Sequence, residues 1–126
     1  MDFLEKKYGD GPVREGLTDH EAVERSAPEP TLTLLYAECL RLGARLADQL
    51  GKGTEARKYR AKALQGRKRK PFRSLGATQT CYGYALEYAT LSDADRAKLL
   101  ARLVGDIERR GKTLTTGIFG TKFMLR

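Results

Sequence analysis

Two polar segments of the sequence carry side chains that could bind a ligand. Thr78-Gln79-Thr80 opens a stretch that is almost free of charge, and residues 114–121 read LTTGIFGT, with a glycine on each side of an Ile-Phe pair. Hydroxyl and amide groups both donate and accept hydrogen bonds, and glycine lets a loop turn tightly. The alternatives are helix capping by the first segment and a plain turn in the second.

Acid–base and metal chemistry have weaker support. Several carboxylates lie close together in the N-terminal segment, namely Asp10, Asp19, Glu21, Glu24 and Glu29. A flexible loop does not hold two carboxylates at a fixed distance or tune one of them to act as an acid. His20 is the only histidine, and Cys39 and Cys81 fall in predicted buried helices, where a thiol behaves as a small apolar group. We therefore expect no catalytic residue, no metal and no cofactor.

The composition is that of one globular domain. The chain has 126 residues, of which 40% are hydrophobic and 32% charged, and this is ordinary for a folded domain. No apolar run approaches the ~18 residues that a membrane span needs. The N-terminus also lacks the order of a secretion signal, so the sequence predicts a cytoplasmic protein without a membrane partner.

The positive charge is concentrated in one place. The net charge is +8, and residues 67–73 supply five cations within seven positions. This density would permit contact with nucleic-acid phosphates. A solvated connection between two helices is the interpretation that we favour, so a nucleic-acid partner is not expected.

Helical periodicity begins after an irregular N-terminal segment, residues 1–30, which holds three prolines and three glycines. About four main helices follow, over residues 31–50, 54–65, 78–89 and 92–110, with Thr54 and Ser92 as N-caps and Gly51 and Gly111 as stops. Residues 117–126 could open another buried helix. The spacing of apolar residues is helical throughout, so the predicted class is all-α.

Enclosed and solvent-facing helices alternate in this prediction. The helices at 31–50 and 78–89 are apolar on most of their surface, whereas those at 54–65 and 92–110 have a single apolar face. A free four-helix bundle would give four similar stripes. The alternation instead favours a two-layered ring of helical hairpins.

Particular motifs reinforce this interpretation. They are Thr78-Gln79-Thr80-x-Tyr82-x-x-Ala85-Leu86, Leu103-Val104-x-Asp106-Ile107-x-x-Arg110-Gly111 and the LTTGIFGT of residues 114–121. With these motifs the sequence resembles the catalytic (α/α)6-barrel domain of bacterial α-L-rhamnosidases, a six-hairpin glycosidase family. A weaker likeness runs from Leu34 through Gly51 to Tyr59.

The resemblance implies inverting hydrolysis of terminal α-L-rhamnosides, with carbohydrate as the partner of the complete enzyme. The residues that could contact the sugar are Thr78, Gln79, Thr80, Thr115, Thr116, Gly117, Phe119, Gly120 and Thr121. An inverting glycosidase needs one carboxylic acid and one carboxylate base. In the family these lie upstream and downstream of the region matched here, so the chain is expected to be inactive alone.

The length also indicates an incomplete barrel. Twelve helices of roughly 10–20 residues with their loops need well over twice this chain. Residues 31–126 are therefore expected to form a partial (α/α)6 toroid, encoded by a gene fragment or a decayed copy. Inner helices that lack neighbours would favour self-association.

Two other classes of function remain open. A helical-repeat interaction module is one, although the second hairpin does not repeat the first at a fixed period. A basic nucleic-acid-binding protein is the other, and strongly salt-dependent binding would identify it.

Overall fold

A computed structural model describes residues 2–9, 11–68 and 78–125, and within these ranges helices joined by loops are the regular structure, with no strand. The expected all-α class is confirmed. Six helices follow one another: α1 (Asp2–Tyr8), α2 (Pro28–Gln49), α3 (Gly53–Lys68), α4 (Gln79–Tyr88), α5 (Asp93–Arg109) and α6 (Ile118–Met124).

The larger helices form an inner row and an outer layer. In the inner row, α4 packs between α2 and α6; α3 packs on α2, and α5 packs on α4. The connections within the two hairpins are short, at residues 50–52 and 89–92. The chain therefore alternates inner, outer, inner, outer, inner from α2 to α6, as expected for an arc of helical hairpins.

Helix α4 is buried because the core surrounds it on three sides. All residues from Gln79 to Ala85 are buried, and the core joins Leu34 of α2, Tyr84 of α4 and Leu99 of α5. Phe123 of α6 packs edge-on against Tyr84, with ring centroids 5.0 Å apart. Such aromatic pairs stabilise a core beyond the area that they bury.

The helix ends follow the expected signals in part. The side chain of Ser92 accepts a hydrogen bond from the backbone N–H of Asp95 (3.1 Å) and caps α5. Gly51 and Gly111 have φ of +70° and +67°, and these left-handed residues end α2 and α5 because glycine has no Cβ to clash. The predicted cap Thr54 is wrong, since α3 begins one residue earlier, at Gly53.

One expectation about the N-terminal segment is corrected. The segment 1–30 is not wholly irregular, because it contains α1 and the first turn of α2. Pro28 and Pro30 lie in that first turn, where the missing N–H of proline costs no hydrogen bond.

The described residues contain no helix with the length and apolar content to span a membrane.

The prediction that α2 is mostly buried is also wrong. Its apolar residues occupy two faces, and only the face of Leu34, Ala37, Leu40 and Ala44 packs into the core. Leu42, Leu46 and Leu50 are exposed, and so is Cys39. Apolar content along a helix does not tell how many of its faces have neighbours.

The basic segment at 67–73 lies almost wholly outside the described residues. Arg67 is described, and its guanidinium donates a hydrogen bond to the backbone oxygen of Tyr88 (2.7 Å). This contact ties the end of α3 to the end of α4.

Candidate functional site

Two buried polar clusters join the start of α4 to the LTTGIFGT segment. The Asp19 cluster consists of Asp19, Thr80, Gly117, Phe119 and Gly120. The Gln79 cluster consists of Gln79, Asp106, Thr113 and Thr115. Most of the candidate residues chosen from the sequence belong to one of the two.

In the Asp19 cluster, one carboxylate collects four donors. The hydroxyl of Thr80 donates to it at 2.6 Å, and the backbone N–H groups of Gly117, Phe119 and Gly120 donate at 2.8, 3.0 and 3.2 Å. These N–H groups belong to the start of α6, where a helix has unpaired donors and a partial positive charge. Asp19 therefore caps α6 from a segment about a hundred residues away in the chain.

Small residues make this contact possible. A Cβ on Gly117 would lie 1.9 Å from the backbone oxygen of His20, and a Cβ on Gly120 would lie 2.6 Å from the Asp19 carboxylate. The backbone N–H of Ile118 also donates to the oxygen of His20 (2.9 Å). The two glycines of the LTTGIFGT segment thus let the N-terminal loop pack directly on the start of α6.

In the Gln79 cluster, a fully buried amide holds three groups. The side-chain oxygen of Gln79 accepts from the backbone N–H of Thr115 (2.9 Å). Its NH2 group donates to the Asp106 carboxylate and to the backbone oxygen of Thr113, each at 3.1 Å. Gln79 is 0% exposed, so these contacts replace the hydrogen bonds to water that the amide loses on burial.

Asp106 is held as an anion. Burial by itself would raise its pKa, but hydrogen bonds from Gln79 and Arg109 and the charge of Arg110 outweigh burial and lower the pKa. Arg110 donates from Nε to Asp106 (2.9 Å) and from Nη2 to Glu24 (3.0 Å). The end of α5 is thereby tied to the N-terminal loop.

A pH-dependent stability follows from this carboxylate. The folded protein lowers the pKa of Asp106 below its ordinary value of 3.8, so the ionised group stabilises the fold above that value and the contribution is lost as the pH falls through the lowered pKa. The unfolding free energy of the wild-type protein should fall between about pH 5 and about pH 2, and we expect this fall to be smaller in Asp106→Asn. Urea titrations across this range measure it; an unchanged acid dependence in the variant would contradict the assignment.

The remaining candidate hydroxyls are bonded to one another or to the N-terminal loop. Thr78 shares a hydrogen bond with Ser26 (2.8 Å) and caps α4 by accepting from the N–H of Cys81. Thr116 shares one with Thr121 (2.8 Å). Thr78 therefore acts as a helix cap, which was the alternative interpretation of this residue.

The buried tyrosine and cysteine of α4 are not poised to react. Burial, with a smaller contribution from the charge of Asp19, raises the pKa of Tyr84 to about 12. Burial also raises the pKa of the Cys81 thiol. Both groups keep their protons near neutral pH, and a thiol needs to lose its proton to act as a nucleophile.

The candidate residues differ in their access to a ligand. Gln79 and Thr80 are enclosed, whereas Phe119 is 44% exposed and Thr116 and Thr121 are partly exposed. A cavity of about 420 Å³ lies beside Asp19, but its walls come from the N-terminal loop, including His20, Glu21 and Arg25. Among the described residues, no group of three or more potential ligands could hold a metal ion.

Asp19 and Asp106 were missed as site residues. A signal for Asp106 was available, because steps of four and three from Leu99 through Leu103 place it on the buried face of α5. A carboxylate on such a face needs a partner. Asp19 gave no comparable signal, since its partners lie at the opposite end of the sequence.

Comparison with known proteins agrees with this architecture of inner and outer helices. Residues 2–126 match the family model of the bacterial alpha-L-rhamnosidase 6 hairpin glycosidase domain. The chain belongs to this family. No curated protein and no solved structure matches it.

Membership of the α-L-rhamnosidase family confirms the resemblance drawn from the threonine- and glycine-containing motifs. The match also covers the N-terminal loop that carries Asp19. In this family member, the loop, the start of α4 and the LTTGIFGT segment form one bonded unit.

Proposed function

We propose that this chain is an arc of the catalytic ring of an α-L-rhamnosidase and that it does not hydrolyse glycosides by itself. In the complete enzyme the reaction would be inverting hydrolysis of a terminal α-L-rhamnoside. The contribution of this arc would be to build part of the inner wall of the ring.

The observation that carries the proposal is the difference between the middle and the ends of the inner row. Helix α4, in the middle, is buried from Gln79 through Ala85. The two flanking helices expose large apolar side chains, with Leu42 and Leu46 on α2, Ile118 on α6 and Leu125 directly after α6. In a closed ring of helices, both flanks would have neighbours and these side chains would be covered.

The chemistry of the buried carboxylates supports inactivity. An inverting enzyme holds a protonated acid and a separate base about 6.5–9.5 Å apart. Asp106 has a lowered pKa and so lacks the proton that the acid must supply. The Asp19 carboxylate is occupied by Thr80 and three backbone N–H groups, which leaves it poorly placed to activate water.

Access favours some candidate sugar contacts over others. Thr116, Phe119 and Thr121 retain exposed surface at the start of α6. An aromatic ring can pack on the apolar face of a sugar, and hydroxyls can bond its polar edge. We assign direct contact to these three residues, and we assign to Thr78, Gln79 and Thr80 the task of holding them in place.

The test of this proposal is an assay of the purified chain with an aryl α-L-rhamnoside. We expect no release of the aryl group above the rate without enzyme, because the two buried carboxylates of the described residues, Asp19 and Asp106, are engaged in structural contacts and neither is suited to be the acid or the base of an inverting reaction. An active α-L-rhamnosidase in the same assay serves as the control. Turnover that copurifies with this chain would overturn the proposal.

A further inference from the structure

The exposed face of α2 carries a regular apolar stripe. Leu32, Leu35, Cys39, Leu42 and Leu46 follow one another in steps of three, four, three and four. These five residues are called the α2 stripe. Leu42 is 48% exposed and Leu46 is 56% exposed. This spacing is the heptad pattern with which a helix packs along another helix.

The first half of the stripe forms one wall of a groove. Phe3 and Leu4 of α1 and Val13 of the following loop face Leu32 and Leu35 across a space of about 420 Å³. Phe3 is exposed at its edge. The second half of the stripe, with Leu46 and then Leu50, stands out from the surface instead. A groove at one end and projecting leucines at the other make the face self-complementary.

We propose that the α2 stripe binds the α2 stripe of a second copy in an antiparallel arrangement. In the register that aligns the two stripes, Cys39 faces Leu42 of the second copy and Leu35 faces Leu46 of the second copy. The leucines at the end of each α2 then fill the groove beside Phe3 of the other copy. A two-fold axis makes both halves of the contact identical.

The charges beside the stripe select the antiparallel direction. Glu38 and Arg45 lie on the same flank, one heptad apart. In an antiparallel pair this flank meets itself, so each Glu38 lies near Arg45 of the second copy. In a parallel pair, Glu38 would lie near Gly43 and Arg45 near Leu50, without opposite charges.

The internal contacts of these two residues are compatible with the pairing. Glu38 already accepts from Arg41 through both carboxylate oxygens (2.7 Å to Nε and 2.5 Å to Nη2), and each oxygen has room for a further donor. Arg45 is exposed. The contact therefore adds a partner to Glu38 without breaking the bond to Arg41.

Sedimentation velocity over a range of concentrations tests the dimer. We expect the full chain to dimerise reversibly and Leu42→Glu to weaken dimerisation about tenfold or more, because it buries a charge at the centre of the contact. Leu100→Glu is the matched control, since Leu100 lies on α5 and is 51% exposed. Circular dichroism verifies that both variants are folded. A wild-type chain that stays monomeric, or equal weakening by the control, would refute the proposal.

Oxidative cross-linking tests the register. In the antiparallel pair, Leu42→Cys places a new thiol opposite Cys39 of the second copy, and the two form a disulfide that reducing agent reverses. The wild-type chain should not cross-link, because Cys39 faces Leu42 and Cys81 is buried. A disulfide between two copies of Cys39 would indicate a parallel pair, and no cross-link in the variant would exclude the proposed register.

Discussion

Gly117→Ala is expected to destabilise the protein more than other single changes at the junction of the N-terminal loop and α6. The added Cβ would lie 1.9 Å from the backbone oxygen of His20 and 2.8 Å from the backbone nitrogen of Ala22. Backbone atoms cannot move aside as a flexible side chain can, so the loop must separate from α6. We expect a loss of about 3 kcal/mol or more in unfolding free energy and a fall of about 10 °C in Tm.

Gly105→Ala is the control for this experiment. Gly105 lies within α5, and a Cβ there would meet nothing within 4 Å. Because alanine favours a helix over glycine, this variant should gain about 0.5–1 kcal/mol. Thermal and urea denaturation followed by circular dichroism measure both variants. If the two substitutions changed the unfolding free energy equally, the result would contradict the close packing of Gly117 on the loop.

Asp19→Asn is expected to have the second largest effect. Both oxygens of Asp19 accept backbone N–H groups, from Phe119 on one oxygen and Gly117 on the other. Either orientation of an asparagine amide would turn its NH2 group toward one of these donors, and the buried negative charge at the start of α6 would also be lost. We expect a cost of about 3 kcal/mol.

Glu108→Gln controls for the loss of a negative charge. Glu108 is exposed near the end of α5, and surface changes of this kind stay within about 0.5 kcal/mol. Urea denaturation at neutral pH compares the two variants. Hydrogen exchange at Gly117 and Phe119 adds a local measurement, since their amides should lose protection in Asp19→Asn. Stability equal to that of the control would show that Asp19 does not hold the loop on α6.

The burial of residues 79–85 in α4 could be predicted because this stretch carries no charged residue. The same reasoning failed for α2, where leucines occur on a core face and on a second face whose Leu42 and Leu46 are exposed. Periodicity records which faces of a helix are apolar. It does not record whether another helix of the same chain is present to cover each face.

The candidate site shows a similar division. The polar residues at the start of α4 and the glycines after Thr116 were chosen from the sequence as sugar contacts, which stays a prediction, and the structure places them in the bonded clusters. Their partners Asp19 and Glu24 could not be assigned from the sequence, because the contacts join residues about ninety to a hundred positions apart. Local rules on capping and turns do not predict contacts between residues so far apart in the sequence.

The pairing of Asp19 with the first turn of α6 has a consequence for how the protein is made. It closes a loop that contains almost the whole described chain, and a loop of that size forms only after both of its ends exist. On the ribosome, the early hairpin of α2 and α3 can assemble while synthesis continues, but the N-terminal loop cannot dock until α6 has emerged. The N-terminal loop therefore docks later than the α2–α3 hairpin forms.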